Sequence, residues 1–287
     1  MTKLWMSLAL WAAAALVSSG SCGSVLPPDA ISHDEKRAPS APSQVLFRGE
    51  YGRTPQQVVG VGGLMSKGYA RNFEKPLTTE EKGWGSSLVE HVSGTSKAVS
   101  LFVSTTSDPS IALKFATGGE TPVFYIYEIA PDKKAIDVEK SLVKFGKAYA
   151  ATQKEFAFVK GIPMKQIIGH YVLKPADYQP TKRLTAQEFK KLFAKQFVPN
   201  AKFDKRYLST TSSGKQAQFN KFYTGPTTPT QNKFVKEYVP RLKKEELQTA
   251  ESAAQDLVKF FEKASPGEQL LDSSRPNWPQ PKGGRRV

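Results

Sequence analysis

A single cysteine, Cys22, stands just behind an apolar N-terminal run, and no other feature constrains the fold as much. Lys3, the continuous stretch from Leu4 to Val17 and the small residues Ser18-Ser19-Gly20-Ser21 have the layout of a secretory signal peptide, too short for a comfortable membrane span. The residue three before Cys22 is Ser19 rather than an aliphatic one, which argues against a lipid anchor and for a soluble, secreted (extracellular) product. With its one cysteine at the cleavage region, the roughly 260 residues that would remain have no disulfide to hold them, so a real hydrophobic core must do so. No metal centre is expected. His33, His91 and His170 are far apart, and neither H-E-x-x-H nor paired C-x-x-C occurs.

Pattern divides the chain into five stretches: a signal peptide over 1–21, a Pro-rich flexible lead-in over 22–43, a β-rich body over 44–180, a basic helical extension over 181–270 and a disordered tail over 271–287. Val45-Leu46-Phe47-Arg48 reads as a buried strand, followed by a short helix near Gln56 to Val59. Gly60, Gly62 and Gly63 read as a simple turn, because they do not follow a strand and open a helix as a nucleotide loop would. Ser86 to Val92 predicts a short helix ended at Gly94, and Val99 to Thr105 a strand. Asp108 is a good N-cap for a helix opening at Pro109. Val123 to Ile129, Glu155 to Val159 and Ile167 to Val172 predict further strands, the last two separated by a Gly161-Ile162-Pro163 turn.

Beyond residue 180 the period becomes helical. Thr185-Ala186-Gln187-Glu188 is a capping box ahead of Phe189, Leu192, Phe193 and Phe197 on one face. A second stripe carries Leu247, Ala250, Ala254, Leu257, Val258 and Phe261 and stops at Ser265-Pro266-Gly267; a Thr/Pro/Gln linker over 224–232 lies between. Charge follows the same division. Residues 22–180 carry 19 Lys and Arg against 16 Asp and Glu, a net of +3, whereas 181–287 carry 21 against 10, a net of +11. A basic extension suits polyanions such as nucleic acid or an anionic surface, and equally a merely solvated cationic face.

Three polar features fall on predicted strands: Arg48, Ser104-Thr105-Thr106, and the triplet Gln153-Lys154-Glu155. Residues i and i+2 of a strand share a face, so Gln153 and Glu155 would point into one site while Lys154 points away. One carboxylate with one carboxamide suits cleavage of a glycosidic bond whose leaving group is already a cationic pyridinium. No general acid is needed there, unlike two-carboxylate glycoside hydrolysis. Glu155 would stabilise an oxocarbenium-like sugar, and Arg48 would grip a pyrophosphate with its planar fork. Ser104 and Thr105 would fix carboxylate and ribose, and Gln153 would orient the incoming nucleophile.

At these residues the chain resembles the mono-ADP-ribosyltransferase toxins, most closely the catalytic A chain of the cholera toxin and heat-labile enterotoxin family. The matching segments are Leu46-Phe47-Arg48-Gly49, Gly62-Gly63-Leu64-Met65, Glu90-His91, Phe102-Val103-Ser104-Thr105-Thr106, Tyr125-Ile126-Tyr127 and Gln153-Lys154-Glu155 running on to Gly161-Ile162-Pro163, in the family's order. The resemblance covers roughly residues 45–173. It implies an α+β fold, two facing mixed or antiparallel β-sheets with flanking helices, and NAD, as substrate, in the cleft between them. It also implies NAD contacts from Arg48, support from Ser104 and Thr105, a site-lining His91 and a catalytic Glu155. The acceptor implied is a host protein or a nucleic acid.

Departures from the family refine these expectations. The enterotoxin chains carry a glutamate at the position of Gln153, which goes with arginine as acceptor; relatives with Gln there modify asparagine in Rho-type GTPases or guanine in DNA. Gln153 therefore predicts an acceptor other than arginine. The stretch Arg48-Gly49-Glu50-Tyr51-Gly52-Arg53 is one residue longer than the family's, so Arg53 is not expected to superpose. The disulfide that ties the family's two fragments is missing. An alternative from another class is a catalytically silent secreted binding protein on the same fold, acting through its basic C-terminal part.

Overall fold

A computed structural model describes residues 44–117, 122–142, 153–177, 183–224 and 243–271. The expected signal peptide and lead-in, almost all of the expected linker and the tail from 272 lie outside the described residues. The first half runs β1 (Leu46–Glu50), α1 (Pro55–Gly60), β2 (Gly63–Met65), α2 (Lys67–Glu74), α3 (Thr79–Ser86), α4 (Leu88–Ser93), β3 (Phe102–Thr106), α5 (Pro109–Ala116) and β4 (Phe124–Ile129). The second runs β5 (Ala135–Asp137), α6 (Val138–Ser141), β6 (Glu155–Val159), β7 (Gly161–Pro163), β8 (Ile167–Leu173), α7 (Ala186–Leu192), β9 (Phe197–Pro199), β10 (Phe222–Tyr223), β11 (Leu247–Gln248) and α8 (Ala250–Ala264).

The fold is α+β. Its main sheet has the order β5-β6-β3-β1-β4-β8-β9 with every neighbour antiparallel. Between β3 and β1 the ladder is one pair long, Phe47 opposite Thr106, whereas β3–β6 and β1–β4 each run for five pairs. The sheet is thus two halves joined at a single point. One apolar cluster takes Val103, Phe156 and Phe158 from one half and Leu46, Tyr127 and Ile167 from the other, so the halves face each other across it.

Alternation along the strands explains what covers the outer sides. In β6 every residue is buried, because Phe156 and Phe158 enter the shared cluster while Ala157 and Val159 pack on the opposite side with Leu257, Phe260 and Phe261 of α8. In β1, Phe47 points to a third cluster with Phe189 of α7, Phe193 just after that helix and Tyr171 of β8. Fully burying a phenylalanine such as Phe47 contributes roughly 1.5–3 kcal/mol. Gly49 lets α5 sit directly on β1: a Cβ there would lie 2.1 Å from the Ala112 carbonyl oxygen.

Several local expectations are corrected. The short helix expected over Ser86 to Val92 and ended at Gly94 is α4, but it opens at Leu88, because Ser87 adopts extended backbone, ends α3 and caps α4 by accepting from the Glu90 amide. Gly161-Ile162-Pro163 is not merely a turn but β7, paired antiparallel with β2. Gln153 and Lys154 precede the strand rather than belonging to it, since Lys154 takes φ 46 and rotates Gln153 out of its alternation. The stripe after Thr185 is shorter than expected: α7 stops at Leu192, whose side chain is exposed, and Phe197 opens β9 on the edge of the main sheet.

Candidate active site

Where β1 and β3 part, Arg48 bridges them. Its Nη1 donates to the Ser104 carbonyl oxygen at 2.6 Å, and its Nε donates to Glu50 Oε1 at 2.5 Å. Arg48 and Glu50 share a strand face by their i, i+2 spacing. Arg53, brought back by the turn at Gly52, donates to both oxygens of Glu50, at 2.9 Å from Nε and 2.6 Å from Nη2. Burial pushes the Glu50 carboxyl up, but the two guanidinium groups outweigh it and hold the group below the usual carboxylate range. Glu50 therefore fixes two forks side by side, an arrangement that suits a diphosphate. Buried Tyr127, opposite Arg48 on β4, has a hydroxyl with no hydrogen-bond partner among the described residues.

Glu155 opens β6 opposite Thr106 and is 6% exposed. One of its oxygens lies 3.4 Å from His91 Nε2, which is also 2.9 Å from Ser104 Oγ. The ring's other nitrogen, Nδ1, is 2.7 Å from Ser100 Oγ, and that oxygen accepts from the Phe102 amide at 3.2 Å. A proton on Nε2 lets the ring donate toward Ser104 and the carboxylate, while Nδ1 lies within hydrogen-bond reach of Ser100 Oγ. Burial alone would push the Glu155 carboxyl up. Hydrogen bonds from His91 and Ser104 and the charges of His91 and Arg48 reverse that and hold it below the usual range. The result is a buried, ionised carboxylate at the fork of the sheet.

Arg48, His91, Ser104 and Glu155 are thus brought together. Thr105 is not: it faces the other side of β3, where its hydroxyl donates to the Phe156 carbonyl oxygen at 2.8 Å. Neighbouring strand residues face oppositely, so Ser104 and Thr105 could not both reach one carboxylate. Gln153 sits in the turn ahead of Glu155, and the Thr106 hydroxyl donates to its carbonyl at 2.7 Å. Sequence reasoning missed Glu50 and Ser100 as parts of the site. For Glu50 the signal was present, an acid two residues after Arg48 on a strand. Ser100 precedes β3 and carried none.

The sequence model of the heat-labile enterotoxin alpha chain family matches residues 38–259. Over 130 residues the chain is 32% identical to the NAD(+)–arginine ADP-ribosyltransferase Chelt of Vibrio cholerae, over 42% of this chain and 20% of that protein. Over 134 residues it is 31% identical to the heat-labile enterotoxin IIA A chain of Escherichia coli, over 44% of this chain and 48% of that one. It therefore spans less than half the length of these two relatives. A solved double mutant of heat-labile enterotoxin is 18% identical with a TM-score of 0.44, over 76% of this chain and 91% of that one. The family match takes in β1, β3, α4 and β6, the elements that carry Arg48, Ser104, His91 and Glu155, and the chain belongs to the heat-labile enterotoxin alpha chain family.

Proposed function

We propose that this chain is an NAD-dependent mono-ADP-ribosyltransferase toxin, a pentosyl-transferring enzyme that breaks the nicotinamide–ribose bond and passes ADP-ribose to a host macromolecule. The observation that carries the reading is Glu155: a carboxylate 6% exposed, kept ionised by His91, Ser104 and Arg48. As the bond to nicotinamide breaks, its electron pair leaves with the ring and the leaving group becomes neutral, so positive charge gathers on the ribose. A fixed carboxylate stabilises that charge most when it is greatest, in the transition state. The twin forks of Arg48 and Arg53 on Glu50 suit the pyrophosphate of NAD. His91 holds Glu155 and Ser104 in register through a ring fixed at both nitrogens. The acceptor's nucleophile then forms the new bond to the ribose carbon and gives up its proton.

The acceptor is a side-chain amide of the asparagine type or a nucleic-acid base rather than arginine. Gln153 offers a neutral amide where a guanidinium acceptor would benefit from a carboxylate. The Vibrio cholerae relative is named for arginine, so this point separates the two chains. The signal-peptide layout at residues 1–21 supports secretion ahead of action inside a host cell, and the basic residues of 181–287 support contact with DNA or an anionic surface. The test supplies the purified chain with labelled NAD and, separately, agmatine, duplex DNA or an asparagine-containing peptide. Release of nicotinamide with label on DNA or the peptide is the expected result. Label on agmatine alone overturns the acceptor, and NAD left intact overturns the activity.

A further inference from the structure

We propose that Asp108 is a positioning residue that holds the turn delivering Glu155, an inference that rests on the reading of Glu155 as the essential carboxylate. Lys154, immediately before Glu155, has φ 46, in the left-handed region that residues with a β-carbon disfavour. Such a conformation persists where its surroundings over-determine it. Three contacts do so here, all from the segment Thr106-Ser107-Asp108. The Thr106 hydroxyl donates to the Gln153 carbonyl at 2.7 Å, the Ser107 amide donates to the Lys154 carbonyl at 3.2 Å, and Lys154 Nζ lies 3.7 Å from Asp108 Oδ2.

Asp108 is 4% exposed, and its two oxygens are divided between two tasks. Oδ1 caps α5 by accepting from the Ser110 amide at 3.0 Å. A cap needs no more than that, and an asparagine would supply it equally well. Oδ2 takes cations from two other segments: Lys154 of the turn, and Arg183, 75 residues away, whose Nε and Nη2 donate at 2.7 and 2.5 Å. The Asp108 amide in turn donates to the Thr106 hydroxyl at 3.0 Å, so this segment is itself folded around the contact to Gln153. The second oxygen thus ties the β3–α5 junction, the turn before β6 and the start of the chain leading into α7 into one knot beside the candidate carboxylate. Release of the turn would shift Glu155 and Gln153 together, without touching the arginines that suit the diphosphate.

Asp108→Asn keeps the cap and removes the charge. We expect kcat for NAD hydrolysis to fall about tenfold while KM for NAD stays within about twofold, since displacement of a reacting group costs rate more than binding. Amide hydrogen exchange at Ser107 should quicken by a similar factor while the amides of α5 hold their protection. Glycine adopts the left-handed conformation without penalty, so adding Lys154→Gly to Asp108→Asn should restore both rate and protection. A merely structural role for Asp108 would give no such rescue. The proposal is overturned if Asp108→Asn exchanges and turns over like the parent, or if the double variant does no better than Asp108→Asn. Should the parent chain release no nicotinamide, the enzymatic reading is what fails, and Ser107 exchange in the same three proteins still decides whether the clamp exists.

Discussion

Glu155 and Glu90 are both nearly removed from water, 6% and 0% exposed, and both belong to the surroundings of His91, yet their protons are bound in opposite ways. Glu155 has the imidazole at 3.4 Å, the Ser104 hydroxyl and the Arg48 charge, and stays ionised below the usual carboxylate range. Glu90, one residue before His91 on α4, has only neutral side chains beside its carboxyl, the Thr95 hydroxyl and the Trp84 indole. Burial pushes its carboxyl up, and no cation is among the groups that shift it. Equal burial thus gives unequal charge, and the partners decide which. A carboxylate kept charged out of water is expensive unless something uses the charge. On the proposed function Glu155 is the one that meets a cation, whereas Glu90 lies on the helix that carries His91.

The same substitution at both sites tests the contrast. Glu155→Gln changes no shape and removes one charge, and NAD cleavage should fall by roughly 10²–10³-fold at neutral pH. A residual rate within threefold of the parent, read from nicotinamide release, would remove Glu155 from the chemistry. Its stability signature has a definite sign. The folded group titrates below its unfolded value, so its contribution is present above the usual carboxylate range and is lost as pH falls through the lowered value. Melting temperatures recorded from pH 7 downward should therefore fall less steeply in Glu155→Gln than in the parent. Next in size is Arg48→Lys, which keeps the charge but loses the fork that reaches Glu50 and the Ser104 carbonyl together. A loss of about 1–3 kcal/mol in kcat/KM, mostly as a higher KM for NAD, is expected from steady-state kinetics. Ser100→Ala removes the partner of His91 Nδ1 without touching Glu155. Its cost in kcat should be nearer 1 kcal/mol, the worth of one hydrogen bond that orients a ring.

Much of this arrangement was legible in the chain, and the reasons differ by residue. β1, β4 and β8 announced themselves by aromatic and β-branched runs, and α5 by Asp108 as cap with Pro109 behind it, which the structure reproduces in the Ser110 bond. Arg48, His91, Ser104 and Glu155 were expected together because their types would answer separate demands of the proposed reaction, and the structure brings them into one cluster. Thr105, expected beside Ser104, lies on the opposite face of β3, where the strand's period of two, applied strictly, would have set it. The turn at Lys154 was not legible at all. Lysine carries no turn signal, and its conformation is imposed by Thr106, Ser107 and Asp108, which lie 46 to 48 positions earlier. Leu192, exposed where a helical stripe predicted burial, shows the same limit: α7 ends there because the chain must turn to pair β9 with β8.

The smallest effect sharpens the comparison most. Glu90→Gln replaces a carboxyl that burial favours as neutral with a neutral group of the same shape, so NAD turnover at pH 7 should remain within about twofold of the parent. The information lies in stability against pH. A carboxyl whose folded value is raised binds its proton more tightly folded than unfolded, so its contribution is complete below the usual carboxylate range and is lost as pH rises through the raised value. The parent should therefore lose stability over that interval, and Glu90→Gln, which has no proton to lose, should not. The two variants then flatten opposite limbs of one curve: Glu155→Gln the acid limb, Glu90→Gln the limb above it. Were Glu90→Gln instead to flatten the acid limb, Glu90 would be ionised in the fold, and the carboxylate next to His91 in sequence would have to share the role assigned to Glu155.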